Sequence, residues 1–280
     1  MSDVRKAKHG GLLTAFFSVV SLFYVMPIII VLYNSFKKKI FISNRPFSLP
    51  DAKSFVGLEN YISGIEKIEL PKAFGYSLFI TVCSVFVIIL CTSMCAWYIT
   101  RVKNKFTSGM YMLFAFSMIV PFQMVMFTLS KIADMLHLGN PVGIIIVYLG
   151  FGAGLAVFMF CGFVKSIPLE IEEAAMIDGC TPIQTYFKIV FPVMKPTAIS
   201  VAILEAMWVW NDYLLPYLVL DIKKYKTIPI AIQYLKGGYG AIDMGAMMAM
   251  IVIAIIPIII FYISCQKYII EGVVAGAVKG

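Results

Sequence analysis

Five stretches of the chain run for more than twenty residues without a Lys, Arg, Asp or Glu: Gly10 to Phe36, Ala73 to Thr100, Phe106 to Ser130, Met135 to Val164, and Met244 to Gln266. A sixth, Thr197 to Leu220, is equally apolar but is interrupted by Glu205 and Asp212. About twenty mostly apolar residues suffice for a helix to cross the hydrocarbon core of a bilayer. The pattern therefore predicts six spanning helices, at roughly 12–33, 74–99, 108–129, 142–164, 198–219 and 246–266. The first reads as an uncleaved anchor, because its apolar core is longer than a signal h-region and lacks a small-x-small cleavage site.

Composition narrows the class. Of 280 residues, 61% are hydrophobic and 14% are charged, and mean hydropathy is +0.91. An ordinary soluble domain carries about a quarter charged residues, so a soluble enzyme is excluded. A disordered chain, which lacks apolar content, is excluded too. The expected fold class is an all-α polytopic membrane protein. The net charge of +8 fits basic residues beside anionic headgroups, and no soluble basic face suggests nucleic acid. Six cysteines lie mostly in apolar runs; Cys91 and Cys95 share a helix face and read as small buried hydrophobes. His9 and His137 are the only histidines, which leaves little for a metal centre, and none is expected.

An even number of spans puts both termini on one side. Charge barely says which. Basic residues divide eleven on the terminal side to twelve on the other. The clusters Arg5–Lys8 and Arg101–Lys105 favour termini inside, whereas Lys37-Lys38-Lys39 argues the other way. The expected organisation is an N-terminal segment 1–11, a six-helix domain 12–266 and a tail 267–280.

The polar stretch Ser166 to Pro196 is different in kind. Ser166 suits an N-cap with Pro168 in the first turn. Glu170, Glu172 and Glu173 follow where the helix dipole favours acids, and Gly179 fits a left-handed C′ position. Thr181-Pro182-x-Gln184 then forms a capping box with Pro at N1. Ile183, Phe187, Val190 and Phe191 fall on one helical stripe, which Pro192 is expected to end. The result is a helix-turn-helix outside the bilayer with one apolar face. Ala174 and Ala175 keep the first helix narrow, which suits insertion into a groove on another protein; an interfacial connector would serve the same pattern.

Glu173-Ala174-Ala175, then Gly179, then Ile189-x-Phe191-Pro192 resembles the EAA loop of ABC importer permeases, Glu-Ala-Ala, three residues, Gly, nine residues, Ile-x-Leu-Pro. Every spacing matches; the departure is Phe191 for Leu. In that family the loop is cytoplasmic and docks into a cleft of a separate ATPase subunit. The resemblance implies that the loop, 166–192, docks through Glu173, Ala174, Ala175, Asp178, Gly179, Ile189 and Pro192. It also implies that both termini face the cytoplasm of a bacterial cell.

Further elements narrow the type. Trp208-Val209-Trp210-Asn211-Asp212-Tyr213, Gly57-Leu58-Glu59-Asn60-Tyr61 and the closing Ala275-Gly276-Ala277-Val278-Lys279-Gly280 resemble the maltose-type, MalG-like permeases of carbohydrate uptake. The resemblance covers essentially the whole chain and implies a type I ABC importer permease fold. It implies as partners a second, unlike permease, two ATPase subunits and an extracytoplasmic sugar-binding protein. ATP and Mg would sit on the ATPase, with no cofactor and no catalytic residue here. The tail lacks the Gly-x-x-x-x-Gly-Lys-Ser/Thr spacing of a phosphate loop. In the family the tail reaches the ATPase interface, and the loop before the last span touches the binding protein. Its tip here would be Gly237, Gly238, Tyr239 and Gly240, which equally suit a surface turn.

Within the fifth span, Glu205 is costly in a bilayer and suggests a functional site or an interhelical pair with the partner permease. Asn211 and Asp212 could meet sugar hydroxyls, with Trp208 and Trp210 offering ring faces; aromatics also gather at interfaces for ordinary reasons. Two other functions stay open: an importer of the same fold for a non-sugar solute, and an ion-driven secondary transporter using Glu205. The latter would be expected to carry inverted repeats, and no internal repeat is evident.

Overall fold

A computed structural model describes residues 10–235 and 242–277, with side chains as far as Lys267. The described residues are helical apart from turns, short irregular stretches and isolated bridge positions such as the antiparallel Lys37 to Phe55. The chain forms two compact units, 1–70 with 232–256, and 71–231 with 257–280.

The first unit begins with α1, Gly10–Asn34, apolar on every side and almost wholly exposed in the isolated chain. That is what a helix facing lipid or another chain looks like. The segment after it, a bare loop by hydropathy, is folded around α2 (Lys39–Asn44) and α3 (Glu59–Lys67). Its knot is Lys37, fully buried, whose Nζ donates to Asn34 Oδ1 at 3.0 Å and to the Arg45 carbonyl at 2.9 Å. Burial lowers the Lys37 pKa, and Asp51 only partly offsets it. The Gly57-Leu58-Glu59-Asn60-Tyr61 run acts in the same knot. Gly57 takes φ +57° ahead of α3. Asn60 Nδ2 donates to the Ser35 and Lys37 carbonyls at 2.7 and 2.9 Å, and the Tyr61 and Ser35 hydroxyls share a hydrogen bond of 2.6 Å. Lys67, at the end of α3, pairs with Asp243, just before the last helix. Burial acts to raise the Asp243 pKa, but Lys67, the Ala246 N–H and Lys39 together hold it below the usual carboxylate range.

The second unit holds α4 (Leu70–Arg101), α5 (Lys105–Ser117), α6 (Phe122–Met135) and α7 (Gly143–Val164). It also holds α8 (Leu169–Ile177), α9 (Pro182–Thr185), a π-helical turn Tyr186–Val190, and α10 (Phe191–Val193). After these come α11 (Lys195–Asn211) and α12 (Leu214–Val219), then the start of α13 (Ile228–Gln233). The last helix, α14 (Met244–Ala277), gives its second half to this unit. It runs past Gln266, where the apolar run ends.

Among the described residues, four unbroken helices, α1, α4, α7 and the apolar part of α14, are long and apolar enough to cross a membrane; the number reaches six if each of two bent pairs is one span. Two expected spans are corrected. The span at 108–129 is broken into α5 and α6, bent by 107°. Pro121, extended at φ −62° and ψ 135°, sits at the break; it has no N–H to bond the Ser117 carbonyl and its ring crowds that turn. The span at 198–219 starts earlier, at Lys195, and stops at Asn211. There Asp212 leaves the helix (φ −71°, ψ 126°), and its Oδ1 accepts the N–H groups of Leu214 and Leu215 to start α12.

α7 is the most enclosed of the four, with Ile144, Ala156, Val157, Phe160 and Val164 fully buried. Small residues let its neighbours approach, as expected where lipid supplies no hydrophobic drive between helices. A methyl at Gly154 would stand 2.7 Å from Ser117 Oγ and 3.0 Å from the Phe114 carbonyl, whereas Gly150 has open space. Gly154→Val is therefore expected to lower the unfolding midpoint in detergent by several degrees, an overpacking cost of about 1–3 kcal/mol. Gly150→Ala is expected to leave it unchanged or slightly raised.

Candidate functional site

Between α7 and α11 the chain makes a hairpin of two short helices. α8 begins at Leu169 with no side-chain cap, since Ser166 Oγ donates back to the Phe163 carbonyl at 2.7 Å. The expected Ser166 cap is thus not formed; the hydroxyl is used by the helix before it. The end of α8 follows the sequence closely. Gly179 has φ +84°, its N–H donates to Met176 O, and the Cys180 N–H reaches Ala175 O at 3.0 Å. These two bonds are the Schellman closure. The capping box is also formed, with Gln184 N–H on Thr181 Oγ1 at 3.3 Å and Thr181 N–H on Gln184 Oε1 at 2.9 Å.

The second helix departs from expectation. The backbone passes through Pro192 and breaks at Met194, bending by 75° into α11. The π turn Tyr186–Val190 adds a residue to its turn. This rotates the residues after it, so the four stripe positions do not share a face. Ile183 and Phe187 are exposed, Val190 is buried, and Phe191 packs on the core.

The hairpin is held by the last turns of α4. Glu172 is 3% exposed. Its Oε1 accepts from Arg101 Nε at 2.9 Å and Nη2 at 2.6 Å, and its Oε2 from Trp97 Nε1 at 2.9 Å. Arg101 Nη2 also donates to the Ile167 carbonyl at 2.9 Å. One turn back along α4, the Ser93 and Tyr186 hydroxyls share a hydrogen bond of 2.6 Å, and the Trp97 and Tyr186 rings lie 5.6 Å apart. The outward side is unlike this. Glu173, Ala174, Asp178 and Gly179 are exposed, beside Ile177 at 86% and Ile183 at 66% exposure. Ala175 is buried against the hairpin, Ile189 is half-buried in the π turn, and Pro192 is exposed at the joint.

The fifth-span residues separate from one another. Glu205 is 3% exposed; its carboxylate lies where a methyl on Gly152 would stand 2.9 Å from Oε2, with Ile88 alongside. Oε2 has no hydrogen-bond partner among the described residues. It is enclosed by this chain's own packing. Asp212 Oδ2 accepts from the Tyr148 hydroxyl at 3.2 Å while Oδ1 caps α12. Trp210 is buried edge-on to Phe74, Trp208 is 38% exposed against Tyr148, and Asn211 is exposed, bonded back to the Met207 carbonyl. An apolar groove of about 730 Å³ between α4, α11 and the second half of α14 includes Trp210 but none of the other four.

Comparison with known proteins places this arrangement. Residues 88–274 match the family described as binding-protein-dependent transport system inner membrane component. The chain belongs to that family. This permease is 40% identical, over the full length of both chains, to a probable starch degradation products transport system permease protein of Thermoanaerobacterium thermosulfurigenes. It is 36% identical to a multiple sugar-binding transport system permease protein of Streptococcus mutans, over 91% of this chain and 92% of that one. Its fold matches a chain in the crystal structure of a bacterial ABC transporter involved in the import of the acidic polysaccharide alginate, with TM-score 0.79 at 21% identity, covering 96% and 99% of the two chains.

Gly237, Gly238, Tyr239 and Gly240 lie outside the described residues. What sequence reasoning missed in this permease is the inner grip, Ser93, Trp97, Arg101, Glu172 and Tyr186. Its only trace is the spacing of Ser93, Trp97 and Arg101 at i, i+4 and i+8, one face of a helix. Asp212→Ala is expected to cost the permease about 1 kcal/mol through loss of the α12 cap, whereas Asp212→Asn keeps most of it; thermal unfolding in detergent reads the difference.

Proposed function

We propose that this permease is one half of the translocation path of an ATP-driven importer for a sugar or oligosaccharide, with its 166–192 loop seated on a separate ATPase subunit that holds ATP and Mg. The observation that carries the docking reading is the two-sided hairpin. Its inner side is fixed by Glu172 and Tyr186, and its outer side presents Ile177, Ile183 and the Glu173-Ala174 edge. Exposed apolar side chains on a rigid scaffold, rimmed by acids, are the makings of a protein interface. With the loop in the cytoplasm, both termini lie there too.

The solute class is supported by relatives named for starch degradation products and for multiple sugars. An unlike permease would complete the path, and an extracytoplasmic binding protein would deliver the solute, with residues 237–240 as its candidate contact. The tail beyond Gln266 would approach the ATPase. Within the path, Trp208 and Asn211 are the candidate residues with exposed surface. Glu205, Trp210 and Asp212 would act on the shape of the path.

Two outcomes test this reading. Gly179→Asp and Ile183→Asp each place charge on the outer face; at Gly179, φ +84° adds backbone strain at the turn despite the open space, so Ile183→Asp is the variant that tests charge alone. Each is expected to weaken co-purification of the ATPase by about 2 kcal/mol, roughly thirtyfold, and to abolish uptake while membrane insertion stays normal. Normal uptake by these variants would sink the docking assignment. For the solute, cells deleted for this permease are expected to lose ATP-dependent uptake of radiolabelled maltooligosaccharides and to keep that of glutamate and spermidine; the reverse pattern would reassign the substrate class.

A further inference from the structure

A docked loop moves solute only if its motion reaches the spans. Covalently it is attached to α7 on one side and, through the bend at Met194, to α11 on the other. Apolar packing joins it to α4, α7 and α11, and a third helix, α4, adds directional contacts. Ser93, Trp97 and Arg101 form a single stripe on the last turns of α4, and each holds the hairpin by a directional contact. Ser93 meets the Tyr186 hydroxyl in the π turn. Trp97 donates to Glu172 in α8 and lies against the Tyr186 ring. Arg101 donates to Glu172 and to the Ile167 carbonyl just before α8. Both arms of the hairpin are therefore tied to one face of one helix.

The contacts are of a kind that transmits displacement. Charge-assisted hydrogen bonds at 2.6–2.9 Å lose most of their strength when distance and angle change, so the partners move together or separate altogether. Apolar packing alone would let them slide. Glu172 is buried, and leaving its carboxylate unpaired is costly. That penalty acts against separation. The same α4 that ends in this stripe supplies, further along, Phe74, Leu78, Val82 and Phe86 to the apolar groove shared with α11 and α14.

We propose that the Ser93–Trp97–Arg101 stripe is a transmission seat: it couples movement of the ATPase-bound hairpin to α4, making Trp97 and Arg101 positioning residues for transport. The proposal rests on the docking reading given above. Its distinct claim is that α4, which is remote from the hairpin in sequence, follows nucleotide state through these side chains.

Hydrogen–deuterium exchange on the assembled transporter in nanodiscs, with and without ATP·Mg, tests it. In the wild type, ATP is expected to change exchange in both the 166–192 hairpin and the 93–101 end of α4. In Arg101→Gln and Trp97→Phe the hairpin response is expected to persist while the α4 response falls about tenfold, as for loss of charged hydrogen bonds. Trp97→Phe keeps a ring beside Tyr186 and removes only the donor to Glu172. Exchanging Arg101→Glu with Glu172→Arg in one chain is expected to restore part of the α4 response, since the pair re-forms but the Ile167 carbonyl loses its donor. An α4 response to ATP as large in the variants as in the wild type would overturn the proposal, as would loosening of hairpin and α4 alike before ATP is added, the mark of a merely structural role. A wild-type hairpin that ignores ATP would overturn the docking reading, and the seat with it.

Discussion

The burial of one carboxylate organises the loop on which this permease depends. Glu172 is buried, and a buried ionised group without partners is prohibitively costly. Three donor contacts from Arg101 and Trp97 answer that cost. Removing one donor costs about 1.5–3 kcal/mol, as for hydrogen bonds to charged groups, because the other residue still donates to the carboxylate. Once Glu172 is fixed, α8 has one possible rotation about its axis. Ala175 turns inward, Glu173 and Ala174 turn outward, and the Schellman closure at Gly179 delivers the chain to the Thr181 capping box at a set angle. The outward face follows from the inward grip.

The bilayer imposes the complementary constraint on the spans. Backbone polar groups have no water to turn to, so every interruption of a helix must be answered locally. The Pro121 break is answered by a fresh helix start. The break after Asn211 is answered by Asp212, whose two oxygens serve the α12 N–H groups and the Tyr148 hydroxyl. The Lys37 knot follows the same rule in the first unit, where three backbone carbonyls, those of Ser35, Lys37 and Arg45, each receive a side-chain donor.

How much of this could be read from the sequence depended on the range of the interaction. Hydropathy located α1, α4 and α7 to within a few residues, because a span is defined by its own composition. The Gly179 turn and the Thr181–Gln184 box were legible for the same reason, their partners being three to five residues apart. Failure came where a distant residue decides. Ser166 has the composition of a cap, but the nearer Phe163 carbonyl takes its hydroxyl. The Ile183–Phe191 stripe assumes α-helical period, and the π turn changes it. Arg101 reads as a charge beside a helix end until Glu172, seventy-one residues on, is brought against it. The stretch after α1 takes its form from the Lys37, Asn60 and Tyr61 contacts, whose partners lie far along the chain.

The same range argument bears on how the Trp-Asn-Asp segment is used. Read along the chain, Trp208 to Asp212 offers rings, an amide and a carboxylate to a passing solute. In three dimensions most of that polarity is already committed. Asp212 is divided between Tyr148 and the α12 cap, Trp210 faces Phe74, and the Asn211 amide donates within its own helix. The groove beside them is lined almost wholly by hydrocarbon. The permease's polar groups hold helices in register and tie the hairpin to α4.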